Sequence, residues 1–329
     1  MTGRPKPGEF ELIARHFAPL AAGHALAFDL TDDAALLHPE TDRDIVLTAD
    51  AVVAGVHFLP DDAPDLIAAK LLRVNLSDLA AMGARPRGYL LTAAWPRDID
   101  EHWVAQFARG LAADQIEFDI AMLGGDTVTT PGPLTFSLTA IGDVARGAEL
   151  RRNGARHGDL VFVSGSIGDG ALGLRVLRGE MEGFAGADAA FLADRYHLPR
   201  PRLALGQALT GLANAALDVS DGLVADLGHI CEVSGVGAVI RADDVPRSPA
   251  TAAALDADPA RLATVLTGGD DYELLFTAPA AQRPKIAELA ERLDLPLSEI
   301  GEVVGGRGVK VIGPDAAPMR FTSAGYTHT

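Results

Sequence analysis

Asn75-Leu-Ser-Asp78-Leu-Ala-Ala-Met-Gly83 sets one carboxylate inside an apolar run that ends on glycine. A carboxylate buried alone is very costly, so Asp78 must meet a partner. Upstream, Pro64 opens a helix on which Ile67, Leu71 and Val74 share a face, and Gly83 and Pro86 stop it. Strands flank that helix. Asp44–Val53 is β-branched, and Arg87–Trp95 reads as a second strand. Beyond them Ile99, Trp103, Phe107 and Leu111 line one face of a helix over Ile99–Leu111. A short strand, Ile120–Leu123, runs into Gly124-Gly-Asp126, and Leu134, Phe136, Leu138 and Ala140 alternate as in a half-buried strand. Before all of these, Phe10, Ile13 and Phe17 have the spacing of a short helix.

The turn-rich Asn153–Asp159 follows Gly147 and marks the start of a second half. There Leu160–Ser164 is a strand followed by a glycine-rich loop, and Ala171–Leu177 is helical. Ala216–Val219 is a strand leading through Ser220-Asp-Gly222 into a helix that contains Cys231. Gly237–Arg241 and Tyr272–Thr277 are further strands. Strands and helices mix in both halves. The expected class is α/β, in the mixed α+β sense, with domains at 1–147 and 148–329.

Composition narrows the function. The 329 residues are 48% hydrophobic and 22% charged, which is globular, and the length favours two domains. Net charge is −17, lysine occurs only at 6, 70, 285 and 310, and arginine is scattered. Such a chain repels nucleic acid and anionic membranes, so neither is an expected partner. One cysteine excludes a disulfide framework or thiolate cluster within the chain. No stretch reaches the roughly 20 apolar residues of a membrane span, and a cytoplasmic location is expected.

Asp32/Asp33, Asp50, Asp78, Asp126, Asp218/Asp221 and Asp270/Asp271 all stand at expected strand ends or helix entries beside Gly, Ser or Thr. Taken singly, each reads equally well as a cap or turn residue. Together, with few lysines to pair them, they point to hard divalent cations shared with phosphates. Other phosphate devices are missing. No lysine has the Walker setting, and the glycine spacing of Ser164-Gly-Ser-Ile-Gly-Asp-Gly170 is wrong for a dinucleotide loop and suits a tight turn. Gly124 and Gly125 could admit a phosphate to backbone N–H groups or simply form a turn. No Gly-x-Ser-x-Gly elbow occurs, and Cys231 reads as a buried structural thiol. His57, seven residues after Asp50, is either an ordinary histidine or a site residue.

The chain resembles the thiamine-monophosphate kinase family, of the superfamily that includes aminoimidazole-ribonucleotide synthetase. Gly8–Ile13, Asp32-Asp33-Ala-Ala-Leu36, Thr48-Ala-Asp50 with His57-Phe58, Val74–Ala84, Gly124-Gly-Asp126-Thr127, Leu217–Leu223 and Gly268–Leu274 carry the likeness, in the family's order. The resemblance implies two α/β domains with the active site between them, and an N-terminal sheet that forms a barrel in a homodimer. It implies ATP-dependent phosphorylation of thiamine monophosphate, with Asp78, Asp126 and Asp221 as the residues on which transfer depends. Several Mg²⁺ ions would be held by Asp33, Thr48, Ala49, Asp50, Asp78, Asp126, Asp218 and Asp221. ATP would meet Gly125, Asp126, Arg152 and Ser220; thiamine monophosphate would meet His57, Asp270 and Tyr326, with Phe321 a rival for the aromatic.

The chain makes three departures from the family pattern. Asp29-Leu-Thr31 replaces Gly-Ile-Gly and is expected to be less able to adopt glycine angles. Ala49 can offer only its carbonyl, and Asp270 is one methylene shorter than the family's Glu. Another ATP-dependent enzyme of the superfamily, such as aminoimidazole-ribonucleotide synthetase, or a non-catalytic nucleotide- or metal-binding protein, are the alternatives.

Overall fold

The computed structural model describes residues 9–32 and 34–326. The chain divides into two compact units, residues 1–79 with 85–147, and residues 80–84 with 148–329.

The first unit begins with α1 (Glu9–Leu12), a π turn (Ile13–Phe17) and 3-10 turns at Ala18–Ala21 and Ala25–Leu30. Then come β1 (Arg43–Val53), α2 (Pro64–Ala81), β2 (Arg85–Pro96), α3 (Glu101–Phe118), β3 (Met122–Thr130) and β4 (Thr135–Ala145). The sheet order is β1-β4-β2-β3, with β2 and β3 parallel and the other pairs antiparallel. One sheet face is apolar, with Leu91, Ala93, Phe136 and Leu138 buried. α3 packs onto it through rings: Phe107 stacks on Phe136 with centroids 4.5 Å apart, and Trp103 meets Trp95 edge-on. α2 and α3 lie close, because Gly110 leaves room for the Asp65 carbonyl, and Arg73 forks onto Asp114 at 2.8 Å.

The second unit contains β5 (Asp159–Ser164), α4 (Asp169–Leu177), α5 (Ala187–His197), α6 (Leu203–Leu209), β6 (Ala215–Asp218), α7 (Leu223–Ser234) and β7 (Gly237–Arg241). It continues with α8 (Pro249–Ala257), α9 (Leu262–Thr267), β8 (Leu274–Pro279), α10 (Arg283–Leu293), β9 (Leu297–Val304) and β10 (Gly308–Ile312). The six strands run β10-β7-β9-β5-β8-β6. Both faces are covered, as alternation along β5 shows: Val161 and Val163 join one core, with Leu217, Leu223 and Leu227, while Phe162 joins the other, with Phe276, Leu205 and Ile286. The observed class is the expected mixture of helix and sheet in two units.

Two local readings change. Gly124-Gly125-Asp126 is not a strand-to-loop turn but lies inside β3. A Cβ on Gly125 would stand 1.8 Å from the Leu91 carbonyl oxygen, so glycine is what allows β3 to pair with β2 here. Asp78 does not sit at a helix entry but in the last turns of α2. Among the described residues no helix is long and apolar enough to cross a membrane.

Candidate functional site

In the first unit, β1 and the C-terminal half of α2 bring Thr48, Asp50, Asn75 and Asp78 together. The Thr48 hydroxyl donates to the Asp78 carboxylate. The Asp50 N–H donates to Asn75 Oδ1 at 3.1 Å, and Asn75 is fixed in turn on the Leu71 carbonyl at 2.9 Å. Burial and then the Asp78 charge push the Asp50 carboxyl up to about 6. Asp78 also lies near the negative end of the helix dipole, and the last turn of α2 carries no basic residue. Two acids facing each other there, with a hydroxyl beside them, form an all-oxygen donor set that suits a hard cation such as Mg²⁺. Ala49, between Thr48 and Asp50, is exposed and pairs with Thr139.

His57 follows β1 and is half-buried. Its Nδ1 accepts the Val53 N–H at 3.1 Å, so the neutral ring carries its proton on Nε2.

Asp126 is exposed on β3 and does not join Asp50 and Asp78 within this unit. Its register partner Thr92 is exposed, whereas Leu91, in register with Gly125 and Leu138, is buried, and Leu138 stands opposite Asp50. Strand alternation therefore directs Asp50 and Asp126 to opposite faces. β1 and β3 are also the two sheet edges, three strand spacings or roughly 14 Å apart. Asp126 instead lines a cavity of about 550 Å³ with Asp32, Leu30, Thr92, Gly124 and Gly125. Asp33 falls outside the described residues. The loop before Asp32 does adopt glycine-like angles without glycine: φ is +50°, +52° and +56° at Phe28, Asp29 and Leu30. Thr31 secures that turn through its hydroxyl and its N–H, both on the Phe28 carbonyl.

In the second unit, Asp218, Ser220, Asp221, Asp270 and Tyr326 converge. Asp218 ends β6 and is buried. The Asp270 N–H donates to the Ser220 carbonyl at 2.9 Å, and the Tyr326 N–H to the Asp221 carbonyl at 2.9 Å. Tyr326 is half-exposed, whereas Phe321 packs against the core, which separates the two rival aromatics. Asp221 does not cap α7. Asp226, five residues on, turns back and accepts the N–H groups of Asp221 (3.1 Å) and Gly222 (3.0 Å). Burial and the Asp221 charge push the Asp226 carboxyl up to about 7, against those N–H groups and the charge of Arg152. Ligand atoms of Asp221, Asp226 and His229 lie within 4.8 Å of one another. Arg152 is exposed in the turn before β5. Cys231 is buried, which raises its thiol to about 11 and suits a structural role.

Comparison with known proteins identifies the family. Residues 31–144 match the AIR synthase related protein, N-terminal domain, and residues 156–314 its C-terminal domain. Thiamine-monophosphate kinase of Caulobacter vibrioides is 45% identical over 327 residues, covering 98% of this chain and 91% of that protein. The crystal structure of thiamine-monophosphate kinase from Stenotrophomonas maltophilia K279a superposes with a TM-score of 0.80 at 47% identity, over 87% of this chain and 90% of that one. This chain belongs to the thiamine-monophosphate kinase family. A further relative, AaThiL solved in complex with AMPPCP and TMP, gives a TM-score of 0.77 at 31% identity over 98% of this chain and 97% of that one.

The sequence did not mark Asn75, Asp226 and His229, which the structure sets beside the candidate residues Asp50 and Asp221. Asn75 was visible only as a polar neighbour of Asp78. Asp226 and His229 lie three apart on the helix after Ser220-Asp-Gly222, a spacing that shares one helix face. Asp271, grouped with the site aspartates by sequence, is buried and spent on backbone N–H groups.

Proposed function

We infer that this chain transfers the γ-phosphoryl group of ATP directly to the phosphate of thiamine monophosphate, giving thiamine diphosphate and ADP. The bond between the γ-phosphorus and its bridging oxygen breaks as an acceptor phosphate oxygen bonds to that phosphorus. What carries the reading is the Thr48–Asp50–Asp78 oxygen cluster in a chain of this family. Asp33, Thr48, the Ala49 carbonyl, Asp50, Asp78, Asp126, Asp218 and Asp221 would hold Mg²⁺. When bound, Mg²⁺ supplies positive charge that offsets the repulsion between the two phosphates.

The chain's own groups orient the reactants. His57 offers the phosphate the proton on Nε2, because Val53 occupies Nδ1. Asp270 and Tyr326 hold the thiamine end. Gly125, Asp126, Arg152 and Ser220 receive ATP. No strong general base is required, since a phosphate's second pKa of ~6 leaves the nucleophile largely ionised. The ATP requirement fits a cytoplasmic location.

The reading extends to a homodimer formed through the N-terminal sheet. Ile45, Leu47, Leu90 and Val128 are exposed, and β1 and β3 are open edges. Such edges invite pairing with a second copy. Pairing β1 of one protomer with β3 of its partner closes both edges into a barrel. It also sets the strand of Asp126 in one copy beside the strand of Asp50 in the other, with the two side chains still on opposite faces.

The test is to incubate the protein with Mg·ATP and thiamine monophosphate and assay both products. Thiamine diphosphate and ADP in equal amounts are expected. Failure to form thiamine diphosphate, or labelled phosphate trapped on the protein, would overturn the inference.

A further inference from the structure

We propose that Asp271 is a positioning residue, and that the glycine-rich turn after β5 exists to seat its carboxylate and so fix Asp270 toward substrate. The role given to Asp270 rests on the proposed function above. Asp270 and Tyr272 both have left-handed backbone, φ +69° and +52°, which is unfavourable for residues with side chains and persists only where neighbours impose it.

Those neighbours lie on two sides. On one, Asp270 N–H and Tyr272 N–H donate to the carbonyls of Ser220 (2.9 Å) and Val219 (2.8 Å), which tie the loop to the segment between Asp218 and Asp221. On the other, the Asp271 carboxylate accepts the N–H groups of Gly168 (2.7 Å) and Gly170 (3.1 Å). Successive backbone N–H groups at a turn form a concave anion seat. The loop read from sequence as a tight turn thus holds the protein's own carboxylate. Gly170 is needed for the approach, since a Cβ there would stand 2.2 Å from the Asp270 carbonyl oxygen. With Asp271 directed inward and almost fully buried, the half-buried Asp270 beside it is left to face outward.

The full-length Asp271→Asn variant keeps the volume but replaces one accepting oxygen with an NH₂ that opposes a donor. We expect the KM for thiamine monophosphate to rise about tenfold, with the KM for Mg·ATP within about twofold. Gly170→Ala disturbs the same seat from the α4 side and should give the same split, which covers the case in which Asp271→Asn does not fold. In an Asp270→Ala background, Asp271→Asn should add no further rise. Equal rises in both KM values, or an undiminished effect in that background, would overturn the proposal. A crystal structure of either variant reads it independently of activity: Asp270 retaining positive φ and its bond to Ser220 would also overturn it. Absence of kinase activity in the unmodified protein would instead defeat the proposed function, leaving that crystal structure to decide the role of Asp271.

Discussion

Removing the Asp50 charge should strengthen the metal-free protein while abolishing its activity. The Asp50 carboxyl titrates at about 6 in the fold, against an ordinary value near 3.8. At about 1.4 kcal/mol per tenfold change in proton affinity, that gap amounts to roughly 3 kcal/mol. Asp50 is partly open to solvent, and screening reduces the figure to about 2 kcal/mol. The direction is set by linkage. The folded state holds this proton more tightly than the unfolded chain, so the stability it contributes is complete below the unfolded value near 3.8 and lost as pH rises through about 6. Asp50→Asn cannot ionise and avoids that loss. In EDTA at pH 8 its first unit should melt about 4–8 °C higher than the parent by calorimetry, and the difference should shrink as pH falls from 6 to 4. Mg²⁺ should stabilise the parent more than the variant. A variant that melts at or below the parent at pH 8, or a difference indifferent to pH, would refute the view that burial and the Asp78 charge hold the Asp50 carboxyl above its ordinary range.

Asp50→Asn and Asp126→Asn should each lose at least about a hundredfold in turnover with circular dichroism unchanged. His57→Asn retains an acceptor for the Val53 N–H but lacks the Nε2 donor, so melting should hold while KM for thiamine monophosphate rises about tenfold in steady-state assays. Gly325→Ala would place a Cβ 2.4 Å from Ala225 Cβ and 2.8 Å from the Asp221 carbonyl oxygen. Lifting Tyr326 off Asp221 should raise that KM several-fold, and leave the ATP KM unchanged, in the same assay.

The long elements were legible because one periodicity ruled each. β1 shows its β-branched run, α2 its proline start and apolar face, and β4 its strict alternation. Shorter elements of the second unit, such as α6, α9 and β10, carry too few residues for a period to emerge. Gly124-Gly125 misled because paired glycines signal turns, whereas the close Leu91 carbonyl makes glycine a requirement of pairing. The site was legible as residue types but not as geometry. Asp270 and Asp271 are neighbours of identical chemistry, and only tertiary burial turns one inward onto Gly168 and Gly170. Nor does sequence state strand order, which is what parts Asp126 from Asp50.

The ring cluster between α3 and its sheet has a practical consequence. Trp95 and Trp103 are the chain's two tryptophans, and both lie in the first unit, with centroids 5.9 Å apart. Indole emission is therefore a private reporter of that unit, blind to melting of the other, whose described aromatics are tyrosine and phenylalanine. Fluorescence compared with backbone ellipticity during denaturation would show directly whether the two halves come apart in one step or in two.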